Sequence, residues 1–145
     1  MLYNLTVLCD FFLFQLVITV LFSTNAFTQA FVTTWQVDND GDQITIPTTG
    51  TGYDYNVDWG DGDDDINLSG NISHTYAVAG TYTVTITGQF PRIYFNNGGS
   101  RNQILSIEQW GSQVWTSMAN AFRGCSNLVI NASDIPNLTG LTDMS

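Results

Sequence analysis

Two stretches of strict alternation constrain this chain more than anything else in it. In YDYNVDW (53–59), Tyr53, Tyr55, Val57 and Trp59 alternate with Asp54, Asn56 and Asp58; in TYTVTIT (81–87), Tyr82, Val84 and Ile86 alternate with four threonines. A period of two means strands with one buried and one wet face. QITIP repeats the pattern in brief through Ile44 and Ile46. Clusters of Gly, Asn and Ser at 50–52, 60–62, 69–71 and Gly80 separate the runs at hairpin-like distances. Several short strands so spaced predict a mainly β chain, an antiparallel β-sandwich. Its inward Tyr, Trp, Val and Ile side chains would each contribute roughly 1.5–3 kcal/mol on burial.

Charge narrows the function classes. Thirteen acidic residues face only Arg92, Arg101 and Arg123, giving a net charge of −10 over 145 residues. Such a chain repels phosphate backbones, so nucleic acid is excluded as a partner. The absence of lysine removes Schiff-base chemistry, and no nucleophile elbow, HExxH, CxxC or P-loop occurs. No catalytic residue and no cofactor site is therefore predicted, and the chain reads as a non-enzyme.

Nine of the acids lie between Asp38 and Asp65, five of them in VDWGDGDDD (57–65). Gly60 and Gly62 supply the left-handed conformations of a tight corner at a strand end. Asp61 between them can accept backbone N–H bonds, and Asp58 falls on the wet face by the alternation. This predicts a turn whose carboxylates satisfy backbone donors, with Asp63, Asp64 and Asp65 as a solvated tip. The competing reading is a structural calcium held by Asp58, Asp61 and Asp63, since hard cations gather six to eight oxygens. A glycosidase carboxylate pair needs a cleft, which a turn tip does not offer. His74, the only histidine, reads as a structural hydrogen-bonding residue near this corner.

At the N-terminus, the apolar run from Phe11 to Phe22 is followed by small and polar residues ending in Thr28-Gln29-Ala30. It is shorter than the roughly 20 residues a membrane span needs, so residues 1–30 read as a signal peptide cleaved after Ala30. No basic residue precedes the run and Asp10 sits at its edge, two departures from the usual pattern. The chain is expected to be secreted or at the cell surface, with membrane contact only through this leader or an anchor elsewhere. Cys9 falls in the leader, which leaves Cys125 without a partner; it is expected to be a small buried group.

Two family resemblances sharpen the picture. YNVDWGDG followed by HTYAVAGTYTVTITG resembles the signature of the polycystic kidney disease (PKD) domain, an immunoglobulin-like sandwich common in bacterial surface and secreted proteins. The matching positions are Val57, Asp58, Trp59, Gly60, Asp61 and Gly62, then His74, Tyr76, Gly80, Tyr82, Val84 and Ile86. The resemblance covers residues 31–95 and implies that fold; some PKD-like domains also hold calcium through aspartates at this corner.

In the last third the alternation fades. ILSIEQWG reads as a short strand, and in VWTSMANAFRGCSNL the residues Trp115, Met118 and Phe122 have helical spacing, with Gly124 placed to stop a helix. WTSM from Trp115 returns as LTDM from Leu141, an interval of 26 residues that suits a solenoid. MANAFRGCSNLVINASDIPNLTGLTDMS resembles the BspA-type leucine-rich repeat of bacterial surface proteins. That resemblance implies that residues 96–145 begin a solenoid in which Met118, Phe122, Cys125, Leu128 and Ile130 point inward. A repeat cannot bury its apolar face alone, so the chain is expected to be an N-terminal fragment of a longer protein. Together the resemblances imply adhesion, or binding of a protein or glycan on a host or neighbouring cell. The alternative is the accessory region of a secreted protease or polysaccharide-degrading enzyme. Arg92, Arg101, Arg123, Trp110 and Trp115 are candidate contact residues, but each reads first as a core aromatic or a scattered solubilising arginine.

Overall fold

The computed structural model of the protein describes residues 29–142. The predicted leader lies outside the described residues except for its last two positions. The described chain is mainly β, and it contains no helix. No helix among the described residues is therefore long and apolar enough to cross a membrane.

Eight strands follow in order: β1 (Phe31–Val37), β2 (Gln43–Ile46), β3 (Asp54–Asp58), β4 (Asp64–Leu68), β5 (Ile72–Thr75), β6 (Gly80–Gln89), β7 (Ile104–Gln109) and β8 (Val129–Ile130). Six form one sheet in the order β4-β3-β6-β1-β7-β8, and β2 pairs with β5 in a second, small sheet. Every pairing is antiparallel except β7 with β8, which makes the large sheet mixed rather than purely antiparallel. The alternation expected for 53–59 and 81–87 holds in detail. Tyr55, Val57 and Trp59 are buried while Asp54, Asn56 and Asp58 are exposed, and Val84 and Ile86 are buried between threonines.

The buried side chains of both sheets belong to one hydrophobic core. Its centre is aromatic. Phe31 meets Trp115 edge-on at 5.1 Å, and Tyr55 meets Phe90 edge-on at 5.0 Å, the geometry that the ring quadrupole favours. Trp35 keeps its buried indole N–H satisfied by donating to Thr33 Oγ1 at 2.8 Å. Trp110 and Trp115 are core aromatics, the reading placed first for them above, and not contact residues. Arg92 is likewise engaged, donating to the Ala119 carbonyl at 2.9 Å and lying over the Tyr94 ring.

The expected unit boundary after residue 95 falls between β6 and β7, which flank β1 on its two sides in the same sheet. Beyond it, the helix expected over Trp115–Phe122 is replaced by a chain of turns. Ala121 N–H bonds back to Met118 O, Arg123 to Asn120 and Cys125 to Phe122, each three residues earlier. Left-handed Asn120 (φ 53°) and Gly124 (φ 84°) interrupt any helical run. The outward backbone groups go to a neighbouring segment: Phe95 N donates to Ala121 O and Asn97 N to Arg123 O. The helical spacing of the apolar residues was a coincidence of a turn-rich path, because a helix would have kept those carbonyls for itself.

That segment-to-segment bonding recurs at a near-constant interval. Thr116 donates to Pro91 O through its backbone N at 3.0 Å and through its hydroxyl, 25 residues apart. Thr142 donates to Thr116 O in the same two ways, 26 residues apart. Asn131 Nδ2 donates to Glu108 across 23 residues, beside the parallel pairs Ser106–Val129 and Ile107–Ile130. Val114 and Asn137 make a further parallel bridge. Met118, Phe122, Cys125 and Leu128 pack partly buried against the core. Ile130, expected inward, is 64% exposed because β8 is an edge strand.

Candidate functional site

The acidic corner follows β3, where the chain must leave the sheet and return as β4. Gly60 has φ 79°, and a Cβ there would run into the carbonyl oxygen of Thr83 in β6. Only glycine lets the corner lie that close to its neighbour. Asp58 Oδ1 accepts from Gly60 N at 2.9 Å, and Asp61 Oδ1 accepts from Asp63 N at 3.2 Å. The Trp59 N–H closes the turn on the Asp63 carbonyl at 3.1 Å. Asp58 and Asp61 thus satisfy backbone donors, as the turn reading expects.

The tip is shorter than expected. Asp64 and Asp65 belong to β4, and Asp65 Oδ2 accepts from the indole N–H of Trp59 at 2.9 Å. That bond lets a fully buried tryptophan keep a satisfied donor at the sheet edge.

His74, on β5, reaches the corner from the small sheet. Its Nε2 lies 2.8 Å from Asp61 Oδ2. The ring stacks on Trp59 at 4.9 Å with planes 12° apart and meets Tyr76 edge-on at 4.6 Å. Tyr76 in turn stacks on Tyr82 at 4.0 Å and donates its hydroxyl to the Trp59 carbonyl at 2.9 Å. Trp59, His74, Tyr76 and Tyr82 therefore form one aromatic stack that clamps the corner to both sheets. Burial raises the Tyr76 phenol well above its ordinary value, so it acts as a hydrogen-bond donor and not as a proton shuttle.

Burial pushes the Asp61 carboxyl up, but the His74 hydrogen bond, the Asp63 N–H and the His74 charge together outweigh it and hold the group below its usual value. The folded value thus lies under that of the unfolded chain, near 3.9. The stability this supplies is present above about pH 4 and is lost as pH falls through the folded value. Asp61→Asn is expected to flatten the acid limb of the melting profile below about pH 4. Identical acid limbs in the two proteins would show that Asp61 contributes nothing to it.

The ligating groups that come together are Asp61, Asp63 and His74, whose donor atoms lie within 4.8 Å of one another. Asp58 stands outside this group, with one oxygen committed to Gly60. Both Asp61 oxygens are engaged within the protein, by Asp63 N and by His74, which accounts for this carboxylate without an ion.

Elsewhere, burial pushes the Cys125 thiol up to about 11, with Arg101 pulling weakly the other way. A thiol so shifted carries almost no thiolate at neutral pH, which suits a packing role. Reading the sequence alone missed Asp134, whose two oxygens accept from Trp110 N at 3.0 Å and Gly111 N at 2.8 Å. It also missed Gln113, a buried amide after β7 that lines a cleft with Phe90 and Pro91. Each is a polar side chain whose partner is more than 20 residues distant in the chain, beyond the reach of local spacing.

No family model, no curated protein and no solved structure matches this chain.

Proposed function

We propose that the chain is the binding region of a secreted or surface-displayed protein without catalytic activity of its own. A PKD-like, immunoglobulin-type sandwich serves as platform, and the segment after β6 is the start of a BspA-type leucine-rich solenoid that meets a protein or glycan of another cell surface. The observation that carries this reading is the backbone ladder Pro91–Thr116–Thr142, with its rungs 25 and 26 residues apart. Solenoid coils stack through such equal steps, and their repeated outer faces suit extended partners. The corner supports the non-catalytic part: its aspartates serve backbone N–H groups, an indole and His74, on a turn without a cleft.

The labelled chain, applied to immobilised surface glycans and extracellular proteins, is expected to bind a subset saturably. It is expected to turn over no peptide, ester or glycoside substrate. Failure to bind any surface, or cleavage of any substrate that survives repurification, would overturn the reading.

A further inference from the structure

The large sheet ends on β4, whose one neighbour in it is β3. Trp59 N donates to the Asp63 carbonyl at 3.1 Å, in register with the pair Val57–Asp65. An antiparallel ladder turns the backbone groups of alternate residues toward the partner strand. Asp63 and Asp65 therefore face β3, while Asp64 and Ile66 offer their N–H and C=O groups outward. The side chains divide in the same way. Asp65 reaches the Trp59 indole, whereas Asp64 and Ile66 stand together on the opposite, wet face, both exposed. Ile66 is an aliphatic side chain with 63% of its surface open on this edge. Asp64 lies directly across the ladder from Asp58, and like charges so placed repel one another. The one ion pair among the described residues is His74 with Asp61, so no cation of the chain answers Asp58, Asp63 or Asp64. Left-handed Asn67 (φ 58°) and the register shift beside it end the regular ladder after Ile66.

We propose that the β4 edge takes up an extended, lysine- or arginine-bearing segment of another protein as a further strand. The outward backbone groups of Asp64 and Ile66 supply the ladder bonds, and the side chains supply the selection. A basic residue beside Asp64 answers the facing charges of Asp58 and Asp64, and an aliphatic residue two positions away covers Ile66. The same acids reject the other occupants. A second copy presenting this edge would set Asp63 and Asp64 against their own kind, at a net charge of −10 for each chain. An acidic strand is turned away for the same reason. This surface goes beyond the reading above and stands or falls separately from it, because that reading places its contact after β6, toward the β8 end of the sheet.

The test titrates a short blocked peptide, in which threonine alternates with valine and lysine, into the full chain. Calorimetry and amide chemical shifts follow the binding. The lysine peptide is expected to bind saturably, to shift the amides of Asp64 and Ile66, and to weaken as salt is raised. With glutamate in place of lysine, binding is expected to fall roughly tenfold or more. A third peptide, N-methylated at its valines and lysines, keeps the charge but lacks the ladder donors, and it too is expected to bind roughly tenfold more weakly. Asp64→Lys is expected to reverse the preference between the lysine and glutamate peptides. Ile66→Pro removes an outward N–H while leaving the bonds to β3 in place, and is expected to abolish binding; Asp64→Lys decides the matter if that variant fails to fold. Equal binding of the N-methylated peptide would reduce the edge to a patch of charge and overturn strand addition. Absence of binding, shifts confined to other strands, or an unchanged preference in Asp64→Lys would overturn it as well. Self-association of the free chain that the lysine peptide dissolves would give the edge to a second copy, and the proposal would fall.

Discussion

Trp59→Ala is expected to destabilise the protein by about 3–5 kcal/mol, the largest effect of any single truncation at the corner. The indole is completely buried, stacks on His74 and donates to Asp65. Its removal leaves a cavity between the two sheets and strips the Asp65 carboxylate of its partner. It also frees His74, so the contact between β5 and the corner loosens with it. Urea unfolding followed by tyrosine fluorescence measures the loss. Trp59→Phe keeps most of the apolar volume but not the N–H, so it should fall between the two. A loss under about 1 kcal/mol for the alanine variant would mean that the stack is not structural.

Gly60→Ala is the second large effect. The residue pays for left-handed backbone with any side chain, a strain of about 1–3 kcal/mol. Here the new methyl group also meets the Thr83 carbonyl, so β6 has to move or the corner has to open. A fall in melting temperature on the order of 10 °C is expected. Gly62→Ala separates the two contributions. Gly62 has φ 106° but nothing within 4 Å of its Cβ position, so it carries the backbone strain without the collision. Equal losses at the two positions would show that the close approach to β6 is irrelevant.

What could be read in advance follows from how each element is buried. β2, β3 and β6 announce themselves because one face is apolar and the other wet, and strict alternation has no other cheap explanation. β4 is invisible to that argument. It is a sheet edge with neither face fully buried, so Asp64 and Asp65 look like solvated loop residues until Trp59 is seen to need one of them. The corner was legible from residue types alone: glycine where φ is positive, aspartate where N–H groups lack partners. Its link to His74 was legible as a nearby hydrogen bond but not in geometry, because Asp61 lies in the β3–β4 turn and His74, 13 residues on, in a strand of the small sheet. The turns at 118–125 mislead for a different reason. Beside local bonds three residues back, the Ala121 and Arg123 carbonyls accept from Phe95 N and Asn97 N, and a local spacing rule cannot register bonds at that range.

The place of β1 in the sheet has a bearing on how the chain is made. The first described strand is hydrogen-bonded on one side to β6 and on the other to β7, and Gln109 reaches back 79 residues to the Ala30 carbonyl. As the polypeptide emerges during synthesis, Phe31 and Trp35 must therefore wait for Ile86 and Tyr82 of β6 before either flank is covered. Contacts so distant along the chain make for slow closure and a prolonged interval with aromatic surface unprotected. A nascent chain of this design is better served by a holding chaperone than by stepwise folding on the ribosome.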